Sequence, residues 1–282
     1  MHDLVMTQEE KALAFKALHE APEGFVIPNP WDIGSARLLS KLRFKALATT
    51  SAGHAFSLGR PDNSITQELV IGHIGQLASA TELPLSADLE NGFGDTPEEV
   101  ARTIRLAAEA GAVGGSIEDQ ARSPDSPIYP LTLAAERIRA AAEAARSLPF
   151  PFLLTARAEN YFAGRPDLKD TIERLQAYQE AGADVLFAPG ITSPEDIAEV
   201  VRSIDRPLNV LMGVSGMNLG ARELSRLGVK RFSVGGSLAR AAIGEFSRAA
   251  AELMEHGTVN YSKTAVSGKD LNQLFGTFPL GT

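Results

Sequence analysis

A chain of 282 residues is long enough for one large domain with a sizeable core or for two small ones, and its 44% hydrophobic content is that of an ordinary globular protein. A net charge of −8 argues against broad nucleic-acid binding, although a few local cations could still hold a small anion. The absence of cysteine excludes disulfides, zinc–thiolate sites and thiol nucleophiles.

The chain starts "MHDLVMTQEEKALAF", without the basic-then-apolar pattern of a leader, and no apolar run is long enough to span a membrane. A cytoplasmic location without membrane contact is expected. Thr7 followed by Glu10 forms a capping-box start to an N-terminal amphipathic helix over 7–20. Short apolar runs then alternate with helical patterns. Strands are expected at 25–30, 45–50, 83–89, 113–118, 152–157, 184–190, 208–213 and 231–236. The helices that follow them are expected at 32–42, 66–80, 96–110, 132–147, 168–181, 194–203, 219–227 and 237–256. Glycines in "AGA" and "LGV" turns close helices just before strands. Strands that read as unbroken apolar runs are buried on both faces. Eight βα units of this kind form a single α/β domain over 1–282, a (β/α)8 TIM barrel. An open doubly wound sheet is the alternative, but neither a GxGxxG nor a Walker A pattern supports nucleotide binding. The tail 257–282 is weakly patterned and available to pack on a neighbouring subunit.

Barrel active sites lie at the C-terminal ends of the strands. There "SADLENGFGD" closes the third strand with Asp88 and Glu90, two apart and so on one face of a strand. "GGSIEDQ" closes the fourth with Glu118 and Asp119, and Arg157 closes the fifth. Asp62 lies in the long loop after the second strand. Carboxylates converging on one mouth repel one another unless a cation joins them. An oxygen-only donor set favours a hard divalent ion such as Mg²⁺. Arg157 beside it suits a bidentate grip on a substrate carboxylate. The plainer readings are that Asp95 caps a helix and that Asp119 pairs with an arginine. His54 is either a proton shuttle or structural. "VGGS" at 234–237 is either a phosphate site or a tight turn.

Together with "IPNPWDIGSARLL", "TTSAGHAFSLGRPD", "TAR" and "GVKRFSVGGSLAR", these motifs resemble the isocitrate lyase/phosphoenolpyruvate mutase superfamily from about residue 26 to residue 240. The resemblance implies a barrel whose eighth helix is swapped between protomers, in a dimer-of-dimers homotetramer. It also implies Mg²⁺, with Mn²⁺ as the alternative ion, and a small-molecule 2-oxo acid handled at the enolate stage. Asp88, Glu90 and Glu118 match the metal-site acids. Asp62 matches a loop aspartate near the metal, and Arg157 the substrate-binding arginine. Thr50, Ser51 and Ala52 match the segment that holds substrate oxygens. Trp31 fits an aromatic pocket floor or a large core filler. Asn209 fits a ligand contact or a buried amide bonded to backbone.

The loop after the fourth strand departs from the family. It reads "EDQARSPDSPIYPL", without the cysteine of the "KKCGH"-type loop or the Lys/Asn of the mutases. This disfavours isocitrate lyase activity and P–C bond chemistry on phosphoenolpyruvate or phosphonopyruvate. What remains is Mg²⁺-assisted C–C cleavage or decarboxylation of an oxaloacetate-like 2-oxo acid. Loss of CO₂ needs no protein acid at the leaving carbon, whereas a retro-aldol lyase would use Tyr161 or a water. Two alternatives are a 2-oxo-dicarboxylate binder without turnover, its loop held fixed by Pro124, Pro127 and Pro130, and a barrel without a ligand.

Overall fold

The structure is a computed structural model that describes residues 6–123 and 126–278, so Pro124 lies outside the described residues. In chain order the elements are α1 (Gln8–Glu20), β1 (Phe25–Ile27), α2 (Ile33–Lys41), β2 (Leu47–Ala48), α3 (Ser51–Ser57), α4 (Gln67–Ala80), β3 (Leu85–Asp88), α5 (Pro97–Glu109), β4 (Gly114–Glu118), β5 (Gln120–Ser123) and β6 (Ser126–Ile128). They continue with α6 (Leu131–Arg146), β7 (Leu153–Arg157), α7 (Leu168–Ala181), β8 (Val185–Phe187), α8 (Pro194–Ser203), β9 (Leu208–Leu211), α9 (Ala221–Arg226), β10 (Arg231–Ser233), α10 (Ser237–His256), a 3₁₀ turn (Asn260–Lys263) and α11 (Gly268–Phe275).

Eight strands pair in parallel in the order β1-β10-β9-β8-β7-β4-β3-β2. The seam between β1 and β2 has no ladder, but Ala48 N–H donates to the Pro28 carbonyl at 3.1 Å and Asn29 Nδ2 to the Thr49 carbonyl at 2.9 Å. The result is the expected (β/α)8 barrel, nearly closed. The strands are shorter than their apolar runs because pairing stops where the chain bends into each loop. Gly111, Gly182 and Gly228 take left-handed φ of 104°, 108° and 93° at the ends of α5, α7 and α9, as the "AGA" and "LGV" turns require.

Three segments without an expected element are structured. The long loop after β2 contains α3, capped when the Thr50 hydroxyl accepts from Gly53 N–H. The segment after β4 forms the antiparallel hairpin β5–β6. The tail folds back on α2 of its own chain, where the Phe278 ring lies 5.0 Å from Arg37 Cζ and 5.0 Å from Lys41 Nζ.

One core fills the space between strands and helices. It holds Ile74, Leu77, Val100, Ile104, Leu154, Leu186 and Val200, each at most 1% exposed. A second, smaller core closes the N-terminal end of the barrel, where α1 packs Ala12 and Phe15 onto Phe25, Ile27 and Val113. His19 of α1 stands edge-on to Phe15 and Phe25, with ring centroids 4.7 and 5.0 Å away.

Candidate active site at the barrel mouth

Asp88 is the last residue of β3. Its amide donates to the Thr49 hydroxyl at 2.7 Å, which ties β3 to the end of β2. Its Oδ2 accepts from the Ser51 amide at 3.0 Å and the Ser51 hydroxyl at 2.8 Å, so the first turn of α3 cradles this carboxylate. Its Oδ1 meets Arg157 Nη1 at 3.0 Å. Arg157 Nη2 reaches Glu118 Oε2 at 3.1 Å and Glu159 Oε1 at 2.9 Å, and Nε also donates to Glu159. The Phe187 ring lies 5.2 Å from its Cζ.

The cation among these acids is therefore an arginine. Three carboxylates, Asp88, Glu118 and Glu159, share a single guanidinium. Burial works against the charge of Arg157, but Glu159, Glu118 and Asp88 outweigh it and hold its pKa above the usual arginine value. Burial drives Glu118 well above the usual carboxylate range despite Arg157. It pushes Glu159 up to about 7, also against the pull of Arg157. Burial thus favours the neutral form of both carboxyls, and such perturbed acids in a cleft mark a candidate functional site. Among the described residues no ready-made cage of three or more metal-binding side chains is formed. A buried, all-oxygen surplus of acid still fits a hard ion that keeps most of its water.

These groups line a cavity of about 330 Å³ with Thr50, Ser51, Ala52, Asp62, Asn209 and Arg231. Asp62 stands at its exposed rim, accepting from Asn63 N–H at 2.9 Å. Asn209 is bonded to side chains rather than to backbone: its Nδ2 donates to Ser233 and its Oδ1 accepts from Arg231, both at 2.9 Å. Glu90 lies beyond the end of β3 in a left-handed turn (φ 48°), so strand alternation does not carry it to the face of Asp88. It lines an adjoining cavity that shares Glu118, Gln120 and Asn63 with the first.

Several expected residues stand elsewhere. Trp31 lies behind α3, its Cβ against Gly53, and is not part of the cavity wall. His54, on α3 itself, stacks on His73 of α4, with ring centroids 3.7 Å apart and planes 10° apart, and does not line the cavity. Phe162, rather than Tyr161, reaches the cavity. Two amides of the "VGGS" turn, Val234 and Gly235, donate to Asn29 Oδ1 at 2.9 and 2.8 Å, as in a tight turn. Asp95 accepts from Tyr129 Oη at 2.6 Å, while Thr96 caps α5.

Asp119 does pair with an arginine. Its Oδ2 accepts from Arg174 Nη1 at 3.0 Å and Tyr178 Oη at 2.6 Å, and its Oδ1 accepts from the Glu159 amide at 2.8 Å. It thereby fixes the turn that presents Glu159 to Arg157. Glu159 and Arg231 escaped the sequence reading. Glu159 follows Arg157 by two residues, and Arg231 is a charged residue opening an apolar run. Both signals were readable.

The profile of the phosphoenolpyruvate phosphomutase family matches residues 15–254. A Burkholderia cenocepacia J2315 structure, whose name leaves its reaction between lyase and mutase, is 59% identical, with a TM-score of 0.94 over 95% of this chain and 97% of that one. The crystal structure of 2,3-dimethylmalate lyase, named as a member of the phosphoenolpyruvate mutase/isocitrate lyase superfamily, is 27% identical, with a TM-score of 0.85 over 95% of each chain. The 2-methylisocitrate lyase of Bacillus subtilis (strain 168) is 31% identical over 209 residues, 72% of this chain and 67% of that enzyme.

Proposed function

Because the chain belongs to the phosphoenolpyruvate phosphomutase family, we propose that it is a Mg²⁺-dependent carbon–carbon lyase. Its substrate would be a small 2-oxo acid of oxaloacetate type, decarboxylated or cleaved through an enolate. The observation that carries this reading is the surplus of buried acid around Arg157, with Asp88 held by the amide and hydroxyl of Ser51. Relatives named as lyases of 2-methylisocitrate and 2,3-dimethylmalate support C–C cleavage.

Asp88 would hold the ion, with Glu118 and Glu90 on its bound water. The ion would polarise the keto group and stabilise the enolate. Arg157 has five N–H groups, and the three carboxylates occupy most of them. With Asp88 and Glu118 holding an ion, Arg157 would have two arms free for the substrate carboxylate. Thr50, Ser51 and Ala52 would position the substrate oxygens, with Asp62 at the rim and Asn209 on the wall. The exposed apolar side chains of α10, among them Ile243, Phe246 and Met254, support an exchanged eighth helix in a dimer of dimers.

Binding without turnover is favoured by one observation. The segment after β4 is pinned by the β5–β6 hairpin and by a 2.8 Å bond from Tyr129 N–H to the Asp119 carbonyl. Thermal melts with Mg²⁺ and a panel of 2-oxo acids, followed by assays of pyruvate and CO₂ release, separate the two. Turnover that falls by more than about a hundredfold in Asp88→Ala is the expected result. A Mg²⁺-dependent melting shift without turnover would favour binding alone. No shift with any ligand or with Mg²⁺ would overturn the metal site.

A further inference from the structure

A second cavity opens at the other end of the barrel, where α1, the end of α6 and the segments entering β7, β8 and β9 meet. Its volume is about 530 Å³, and it shares no lining residue with the cavity at the mouth. β7 runs from one to the other, with Leu153 at its foot and Arg157 at its far end. Between them stand buried side chains. His19 lines the lower cavity, and its Nε2 lies 3.5 Å from Nη1 of Arg231, which lines the upper one. Arg231 in turn donates to Asn209 Oδ1 and Thr155 Oγ1, both at 2.9 Å.

One wall of the lower cavity is apolar. The chain from α6 to β7 reads "SLPFPFL" over 147–153. Pro149 and Pro151 fix φ and remove two N–H donors, so this stretch presents Leu148, Phe150 and Phe152 on a stiff backbone. The other wall is charged, with Lys16, Arg146 and Arg206 against Glu20 and Asp184. Lys16 Nζ meets Glu20 Oε1 at 2.5 Å, so these two cancel. Asp184 Oδ2 accepts from Leu154 N–H at 2.9 Å, and burial raises its pKa against that bond and the nearby cations. Arg146 Nη2 donates to the Gly182 carbonyl at 3.2 Å. Among the described residues neither Arg146 nor Arg206 forms an ion pair. Arginines placed to neutralise Asp184 would touch it, and these do not. Two guanidiniums thus stand against one carboxylate, a surplus of one positive charge on a chain whose net charge is −8.

We propose that this cavity is a second binding site, for an organic monoanion with a flat apolar body. The body would lie against Phe150 and Phe152, and the single carboxylate would meet Arg146 and Arg206 at the exposed rim. The volume is that of a small-molecule site. The proposal does not depend on the reaction assigned to the mouth.

The test is calorimetry on the full chain with three probes: 2-naphthoate, 2-naphthamide, which has the body without the charge, and acetate, which has the charge without the body. The unmodified chain is expected to bind 2-naphthoate about tenfold or more tighter than either of the others. Arg206 is exposed and unpaired, so Arg206→Met should fold and lose about tenfold in 2-naphthoate affinity. Arg206→Glu should lose more, while 2-naphthamide binding changes by less than about twofold in both variants. Failure of 2-naphthoate to bind would overturn the proposal, as would equal binding of 2-naphthoate and 2-naphthamide. Parental 2-naphthoate affinity in Arg206→Glu would place the binding elsewhere and overturn it too. If Arg206→Glu does not fold, the unmodified chain and Arg206→Met decide.

Discussion

Glu159 is 1% exposed and shares Arg157 with two other acids, so its charge is only partly compensated. Its pKa in the fold, about 7, stands above the ordinary carboxylate value. The stability tied to this group is therefore complete below about pH 4.5 and is lost as pH rises through 7. Glu159→Gln removes that loss. Urea unfolding of the metal-free chain should show the variant about equal to the parent near pH 5, and more stable by on the order of 1–3 kcal/mol near pH 8. A variant less stable at pH 8 would mean that the ion pair outweighs the repulsion. At this scale the sequence showed Asp88, Glu118 and Arg157 as a group, because strand ends in a barrel share one mouth. It did not show which cation joins them. That depends on side-chain reach, and a guanidinium on β7 reaches further than strand spacing reveals. Glu90 misled for a related reason: alternation holds only while the backbone stays extended, and it ends at Asp88.

The short helix α3 carries the cradle for Asp88, and its seat is tight. A Cβ on Gly53 would stand 2.6 Å from Thr50 Cγ2 and 3.0 Å from Trp31 Cβ, atoms close to the backbone that cannot swing away. Gly53→Ala should cost about 1–3 kcal/mol of stability in urea unfolding. By shifting Ser51 off Asp88 it should also weaken any Mg²⁺-dependent melting shift. A melting shift of parental size would show that α3 tolerates the displacement. The turn after β7 is held in a comparable way by Asp119. Tyr178→Phe removes a buried 2.6 Å bond to it and should cost about 1–3 kcal/mol in the same assay. Elements were legible where an apolar run met a glycine-closed helix. They were missed where structure is held by single contacts, as in α3 and in the β5–β6 hairpin, whose residues are mostly polar and carry no period of two.

For the whole molecule, pH acts through two buried imidazoles as well. His19 is pushed down to about 3 by burial and by Arg231, and His73 to about 4 by burial and by His54. Both are neutral in the fold. Their contribution is complete above about pH 6.5 and is lost as pH falls through 4 and then 3, opposite in sign to that of Glu159. Denaturant midpoints should drop between pH 6 and 4, and His73→Phe should flatten that drop. An unchanged slope would remove His73 from the account. The eightfold βα order was readable because burial on both faces and helix-ending glycines repeat along the chain. The tail was not, since its docking on α2 is made by a few side chains.

The floor of this barrel bears on how such a protein could be retargeted. Grafting loops from a related enzyme would replace the mouth and leave β7, β9, β10 and α1 untouched. Arg231, braced by Thr155, Asn209 and His19, belongs to that untouched part. A grafted chimera would then keep a buried guanidinium beneath its new mouth whatever chemistry its new loops supplied. Removing that cation would mean rewriting the barrel from the N-terminal end as well, including a helix that never approaches the mouth.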